Sequence, residues 1–261
     1  MAKDQDMTDR KMYMDVLRLA GETIMENGGE TYRVEETVDR MGRAFGLEEV
    51  QSFAVPSGLI ISFRLNGDSE SSVLRVRRGS TDLERVDQVN QISRLVEAGK
   101  MDCARALEQL REIRSRKTGE RQYPTILAAG LSAAGFCLMF GGAWMDWIVS
   151  AGTVAVQQLF FLWMRRKNLQ SMMTVVLGAF LATLIPQALQ PVLGLNQEAV
   201  IAGALMPLLP GLAMTNAVQD ALRGDMISGV SHFTQAIMTA GLVAGGALTA
   251  TTLLNVMGGV L

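Results

Sequence analysis

The stretch from Ala199 to Asp225 sets residues able to hold an anion or carry a proton inside an apolar run. Pro207, Pro210 and Gly211 are followed by Thr215, Asn216, Asp220 and Asp225. Proline removes a backbone donor and clashes with the preceding turn, so two prolines and a glycine in mid-run predict a broken helix. Backbone groups freed at membrane depth are tolerated only where protein or a water-filled cavity receives them. A second half-helix opening near Gly211 would aim its amides at an anionic group, with Thr215 and Asn216 about one turn further on. Asn216 and Asp220 are spaced i, i+4 and share a face. Pro210, Gly211, Thr215 and Asn216 are therefore candidate substrate-binding residues. Asp220, Asp225 and His232, the single histidine of the chain, are candidates for coupling or gating, since an ionisable side chain in a membrane segment is a functional hypothesis in its own right. The alternative is a proline kink, with Asp220 at headgroup level and Asp225 capping the next helix. Gln157, Gln158 and Gln187 lie in other apolar runs; they either line the same cavity or hydrogen-bond between helices.

Other chemistry is sparse. No Gly-Lys-Ser/Thr phosphate loop is present, which argues against an ATP-driven pump. One histidine and two cysteines, Cys103 and Cys137, make no metal-ligand pattern. Neither a metal, a cofactor nor a catalytic residue is expected, and the cysteines read as free thiols. Gly28-Gly29-Glu30-Thr31-Tyr32-Arg33 sets a carboxylate and an arginine at a helix start, either as a site or as a capped helix with surface charges. Arg75, Arg77 and Arg78 form a basic strip suited to a solvated face or to lipid headgroups.

The elements that must position these residues divide sharply by charge. Of 24 Lys/Arg and 26 Asp/Glu, 20 and 22 precede Pro124. A uniform soluble globule is excluded, and with no basic excess so is a nucleic-acid footprint. Five runs free of Asp, Glu, Lys and Arg follow: Pro124–Met145, Trp147–Met164, Asn168–Gln197, Ala199–Gln219 and Met226–Leu261. A bilayer core takes about 20 apolar residues per helix, so five spans are expected, at about 124–143, 147–164, 171–190, 199–222 and 229–254. Short-loop cations set orientation. Arg111, Arg114, Arg116, Lys117 and Arg121 precede the first span; Arg165, Arg166 and Lys167 follow the second; Arg223 follows the fourth. The other loops carry Asp146 and Glu198. The N-terminus is thus expected in the cytoplasm and the C-terminus on the far side. Trp144, Trp147 and Trp163 fall at span ends as interface anchors. Small residues such as Gly141-Gly142 and those from Gly241 to Ala247 allow close helix packing.

Before residue 123 the pattern is that of a small α+β domain. Met12, Val16, Leu19, Ala20, Thr23 and Ile24 repeat at helical spacing up to Asn27-Gly28-Gly29. Val34, Val38, Met41 and Phe45 do so up to Gly46. Alternation then takes over: 51–55, then Leu59, Ile61, Phe63 and Leu65, then Leu74 and Val76, with Asn66-Gly67-Asp68 as a hairpin turn. Helices return at 82–98, with Leu83, Val86, Val89, Ile92 and Val96 inward, and at 102–115. The first 25 residues show no apolar signal-peptide core. The expected architecture is a cytoplasmic α+β domain over residues 1–122, in the order ααβββαα, followed by a five-helix polytopic membrane domain over 123–261.

Taken together, Pro210-Gly211, Thr215-Asn216, Asp220 and Gly224-Asp225 resemble the hallmark of the threonine/serine exporter family. Three earlier segments agree: Gly28 to Glu35, Val55-Pro56-Ser57-Gly58-Leu59, and Arg78-Gly79-Ser80-Thr81-Asp82-Leu83 with Val89 to Arg94. The resemblance runs over about residues 12–254. Full-length members are similar to this chain followed by a second, shorter set of spans, so the chain resembles the split form, the YjjP-like subunit that works with a YjjB-like second membrane subunit. The resemblance implies proton-coupled export of small carboxylates, either threonine and serine or a dicarboxylate such as succinate, across the bacterial inner membrane, with a higher oligomer open. The other readings are a membrane-anchored enzyme and a regulatory membrane protein acting through the cytoplasmic domain.

Overall fold

The computed structural model describes residues 2–77, 81–116, 122–166 and 171–258. In chain order its elements are α1 (Ala2–Glu26), α2 (Thr31–Ala44), β1 (Glu48–Val55), β2 (Gly58–Leu65), β3 (Asp68–Arg75), α3 (Leu83–Glu97), α4 (Cys103–Ser115), α5 (Gln122–Met139), α6 (Trp144–Arg166), α7 (Ser171–Leu193), α8 (Gln197–Leu205), a 3-10 turn (Met206–Leu208), α9 (Gly211–Leu222) and α10 (Met226–Gly258). Of the sequence features named above, Arg78, Gly79, Ser80, Lys117, Arg121, Lys167, the side chains of Arg165 and Arg166, and the C-terminal Leu261 lie outside the described residues.

Two compact units form. One joins Met1–Thr118 to Leu212–Thr234, the other joins Gly119–Gly211 to Gln235–Leu261. The division differs from the expected single cut at 122/123: the second half of the broken stretch and the start of α10 pack with the N-terminal residues.

In the first unit the helical stripes and the alternating strands share one core. Val16, Leu17, Ala20 and Ile24 of α1 meet Val34, Val38 and Met41 of α2, with Leu59, Ile61, Phe63 and Leu74 of the sheet beside Val89 and Ile92 of α3 and Leu110 of α4. The sheet is antiparallel in the order β1-β2-β3. Asn66 and Gly67, at φ 54° and 87°, close the β2–β3 hairpin on the Leu65–Asp68 pair, the left-handed two-residue turn that Asn-Gly favours. Leu83, expected inward, is 53% exposed: it is the first residue of α3, where Asp82 caps the helix by accepting from the Arg85 amide.

The second unit holds two helices long and apolar enough to cross a membrane, Trp144–Met164 and Met172–Leu193, and most of a third, Met226–Val256. The pair Gln197–Leu208 and Gly211–Leu222, counted as one broken span, makes four. The expected first span gives a shorter apolar helix, Tyr123–Met139. Gly141, at φ 82°, and Gly142, whose amide donates to the Cys137 carbonyl at 2.9 Å, end it early. At 1.5 Å per residue this reaches about 25 Å, short of a hydrocarbon core of about 30 Å. Length and composition therefore establish a multi-pass membrane protein with three or four spans among the described residues.

Buried Asp146 fastens two turns of this unit. Its Oδ2 accepts from the Ala143 amide at 2.8 Å and its Oδ1 from the Asn196 amide at 3.0 Å. The Asn196 side chain in turn accepts from the Ala199 amide and caps α8. The carboxylate thus satisfies amides that helix starts leave without partners.

Candidate functional site

The site is built from two helix ends closed in the same way. At the end of α1, the Gly29 amide donates to Ile24 O at 2.9 Å and Gly28 adopts φ 86°. At the end of α9, the Asp225 amide donates to Asp220 O at 2.9 Å and Gly224 adopts φ 93°. Both are left-handed glycine terminations. The second glycine at α1 is required by space: a Cβ on Gly29 would lie 2.3 Å from Ile24 Cγ2. The first turn lets α2 start at once, so that Thr31 is its first residue. The second lets α10 fold back from α9, close enough that a Cβ on Gly229 would meet Ala217 O at 3.1 Å.

This arrangement buries Asp220 and gives both its oxygens a partner. Thr31 Oγ1 donates to Oδ1 at 2.9 Å, and His232 Nδ1 lies 2.8 Å from Oδ2. Asp220 is 0% exposed and His232 1%. A buried carboxylate persists only when paired and hydrogen-bonded, and here one neutral donor and one titratable ring meet that need. Asn216, one turn earlier on the same face, is buried as well; its Nδ2 donates to Gly28 O at 3.4 Å. Glu35, one turn along α2 from Thr31, accepts from the Ala54 amide at 2.8 Å, and Ser228 Oγ donates to Ala54 O at 3.4 Å. Burial pushes the Glu35 carboxyl above its ordinary range, the negative charges of Asp225 and Asp220 add to this, and the Ala54 amide opposes it. Burial likewise pushes Glu30 up, but hydrogen bonds from Arg33 and from its own backbone outweigh it, and the net shift is downward. The Glu30 carboxylate bonds Arg33 at 2.7 Å instead of capping α2.

Beside this cluster opens a cleft of about 790 Å³, lined by Tyr32, Glu35, Asp39, Gln51, Arg223 and Asp225 among others. The Arg223 guanidinium lies 3.6 Å from the centre of the Tyr32 ring, a cation–π contact that holds the lone cation of the α9–α10 turn over α2.

The structure thus brings Asn216, Asp220 and His232 together and sets Asp225 on the adjoining cleft. Thr215 is exposed on α9. Pro210 precedes the first residue of α9, Gly211, and a Cβ on Gly211 would meet nothing within 4 Å. Gln157 and Gln187 lie in the other unit, donating to Gly178 O at 2.9 Å and to Thr251 Oγ1 at 3.0 Å; Gln158 there is half-buried. Sequence reasoning had no spacing rule that would select Thr31, Glu35 or Ser228 as partners. Thr31 meets Asp220 across 189 positions, and only the motif around Gly28-Gly29 drew attention to its neighbourhood.

Residues 15–254 match the family described as "Putative threonine/serine exporter". A "Probable threonine/serine exporter" of Mycobacterium tuberculosis is 28% identical over 92% of this chain and 46% of its own length. The "Threonine/serine exporter" of Corynebacterium glutamicum is 22% identical over 92% of this chain and 52% of its own. The "Probable succinate transporter subunit YjjP" of Escherichia coli K12 is 26% identical over 80% of this chain and 82% of its own. The chain therefore spans about half the length of the named exporters and most of the length of the YjjP subunit. No solved structure matches it. The match over residues 15–254 places the chain in the threonine/serine exporter family, where it resembles the split-form YjjP subunit.

Proposed function

We propose that the chain is one subunit of a secondary-active exporter of small carboxylates, driven by protons and completed by a second membrane subunit. The observation that carries this reading is the fully buried Asp220, held between the Thr31 hydroxyl and the His232 ring. A carboxylate and an imidazole at hydrogen-bond distance can share and release a proton, and ionisable groups in such segments mark ion and substrate pathways. In this reading Asp220 and His232 carry the coupling proton, with Asp225 gating at the cleft. Pro210, Gly211, Thr215 and Asn216 contact the substrate carboxylate, and Gln157, Gln158 and Gln187 line its path. The names of the relatives support both an amino acid and a dicarboxylate as substrate.

Liposomes containing the chain and a YjjB-like subunit should show counterflow of labelled threonine or succinate, driven by preloaded unlabelled substrate. The chain alone should show none. Robust flux from the purified chain by itself would remove the second subunit from the proposal, and no flux from the pair with either substrate would remove the exporter reading.

The proposed orientation has five spans, a cytoplasmic N-terminus and a periplasmic C-terminus in the bacterial inner membrane, resting on the loop cations around Arg111–Arg116 and Arg223. Cysteines placed at Asp4 and Leu261 should label from opposite sides of the membrane. Labelling of both from one side would establish an even number of crossings.

A further inference from the structure

A second polar feature lies within the unit formed by 119–211 and 235–261. Helix α6 carries Ser150, Thr153 and Gln157 on one buried face, and α7 carries Thr183 and Gln187 one turn apart. Gln157 bonds the Gly178 carbonyl, and Val154 shares a small apolar cluster with Ala182. Stepping back along α6 therefore steps forward along α7: the helices run antiparallel, with Thr153 near the level of Thr183.

Three oxygens on these two helices are buried with no hydrogen-bond partner among the described residues, Thr153 Oγ1, Gln157 Oε1 and Thr183 Oγ1; Gln187 Oε1, on a side chain whose amide reaches Thr251 of α10, is a fourth. Thr153 and Thr183 are each 2% exposed and Gln157 is 0%. The contrast with nearby hydroxyls is informative. Thr249 and Thr251 on α10 turn back to the carbonyls of Gly245 and Ala247, and Ser150 lies within reach of the Ala133 and Val200 carbonyls. A helical threonine with no outside partner ordinarily makes that local bond; Thr153 and Thr183 do not. Buried polar atoms are rarely left unpaired, and those that are call for a water or another ligand. The two glutamine oxygens can only accept, and their amide nitrogens are already engaged, so the guest must be a small donor.

We propose that the α6–α7 seam binds a file of water molecules, making it a hydrated path inside the apolar unit. This deepens the assignment of Gln157 and Gln187 as path-lining residues and adds Thr153 and Thr183. It is tested by chemical access and thermal stability, neither of which requires transport, so its failure and the failure of the exporter reading are distinguishable.

The full-length chain in membranes, with Thr153→Cys or Thr183→Cys, should be treated with 2-aminoethyl methanethiosulfonate, a small donor-bearing reagent. Val154→Cys and Ala182→Cys, one residue away in the apolar cluster, are the controls, and the native cysteines set the background. A thiol reacts as its thiolate, which forms readily only where water reaches it, so the seam positions should react at least about tenfold faster than the controls. Equal rates would overturn the proposal. Thr153→Val and Thr183→Val give a second reading that needs no reactive thiol. If the seam holds water, removing each hydroxyl should leave the melting temperature unchanged or lower it. A rise in melting temperature would show that each hydroxyl was buried without a partner in a dry seam, and would also overturn the proposal.

Discussion

Reconstituted with its second subunit, Asp220→Asn should exchange substrate across the membrane but fail to accumulate it against a gradient. The amide is nearly isosteric with the carboxylate and can still accept from Thr31 Oγ1, which lies 2.9 Å from Oδ1 in the native protein. It cannot take up or give off a proton, and the atom facing His232 Nδ1 becomes an amide donor or a neutral acceptor. Losing a hydrogen bond to a charged partner costs about 1.5–3 kcal/mol, enough to loosen the cluster without unfolding a domain whose core lies in α1, α2 and the sheet. Transport down a gradient needs no coupling proton and should survive. Thr31→Val is the control for a purely structural role. It removes one bond to Asp220 and leaves the carboxyl and ring in place, so it should lower stability while coupling persists. Accumulation by Asp220→Asn equal to that of the native protein would assign the pair to packing alone.

The other large effect is expected at a pair of adjacent glycines. A Cβ on Gly246 of α10 would lie 2.3 Å from the Val176 carbonyl oxygen and 3.0 Å from Ala179 Cβ on α7, whereas a Cβ on Gly245 would meet nothing within 4 Å. The obstacle at Gly246 is backbone, which cannot rotate aside as a side chain can. Helix pairing in a bilayer depends on such close approach, and overfilling a packed contact costs about 1–3 kcal/mol. Gly246→Ala should therefore lower the melting temperature of the detergent-purified protein by several degrees, while Gly245→Ala should leave it unchanged. Equal behaviour of the two would mean that α7 and α10 do not pack as described.

These two sites differ in how far the sequence announced them. The spacing of Asn216 and Asp220, the lone histidine and the prolines before Gly211 were all visible as residue types in an apolar run. So were the stripes of α1 and α2 and the hairpin at Asn66-Gly67, because periodicity reports which face of an element is buried. Periodicity does not report what covers that face. Residues 212–222 read as the far half of a membrane span because they are apolar, yet they pack with the N-terminal residues, and the partner of Asp220 is a threonine at the start of α2. Small-residue runs such as Gly241 to Ala247 predicted close contact without saying which glycine makes it. The premature end of α5 at Gly141 was hidden for a similar reason: charge-free residues continue past it, and only the left-handed turn stops the helix.

The glycine turn after α1 also bears on how this protein can change over time. Thr31 and Glu35 point toward their partners only because α2 begins three residues after Gly28, with no slack between the turn and the helix. Adding or removing one residue there would rotate every later side chain of α2 by about 100°, since a helix has about 3.6 residues per turn. Thr31 would swing away from Asp220, and Val34 and Val38 would leave the core in the same motion. Substitutions in this segment can be absorbed one at a time, whereas a change in its length strikes the polar cluster and the apolar core together. Its length is therefore far more constrained than its residue choices, the reverse of an ordinary surface loop.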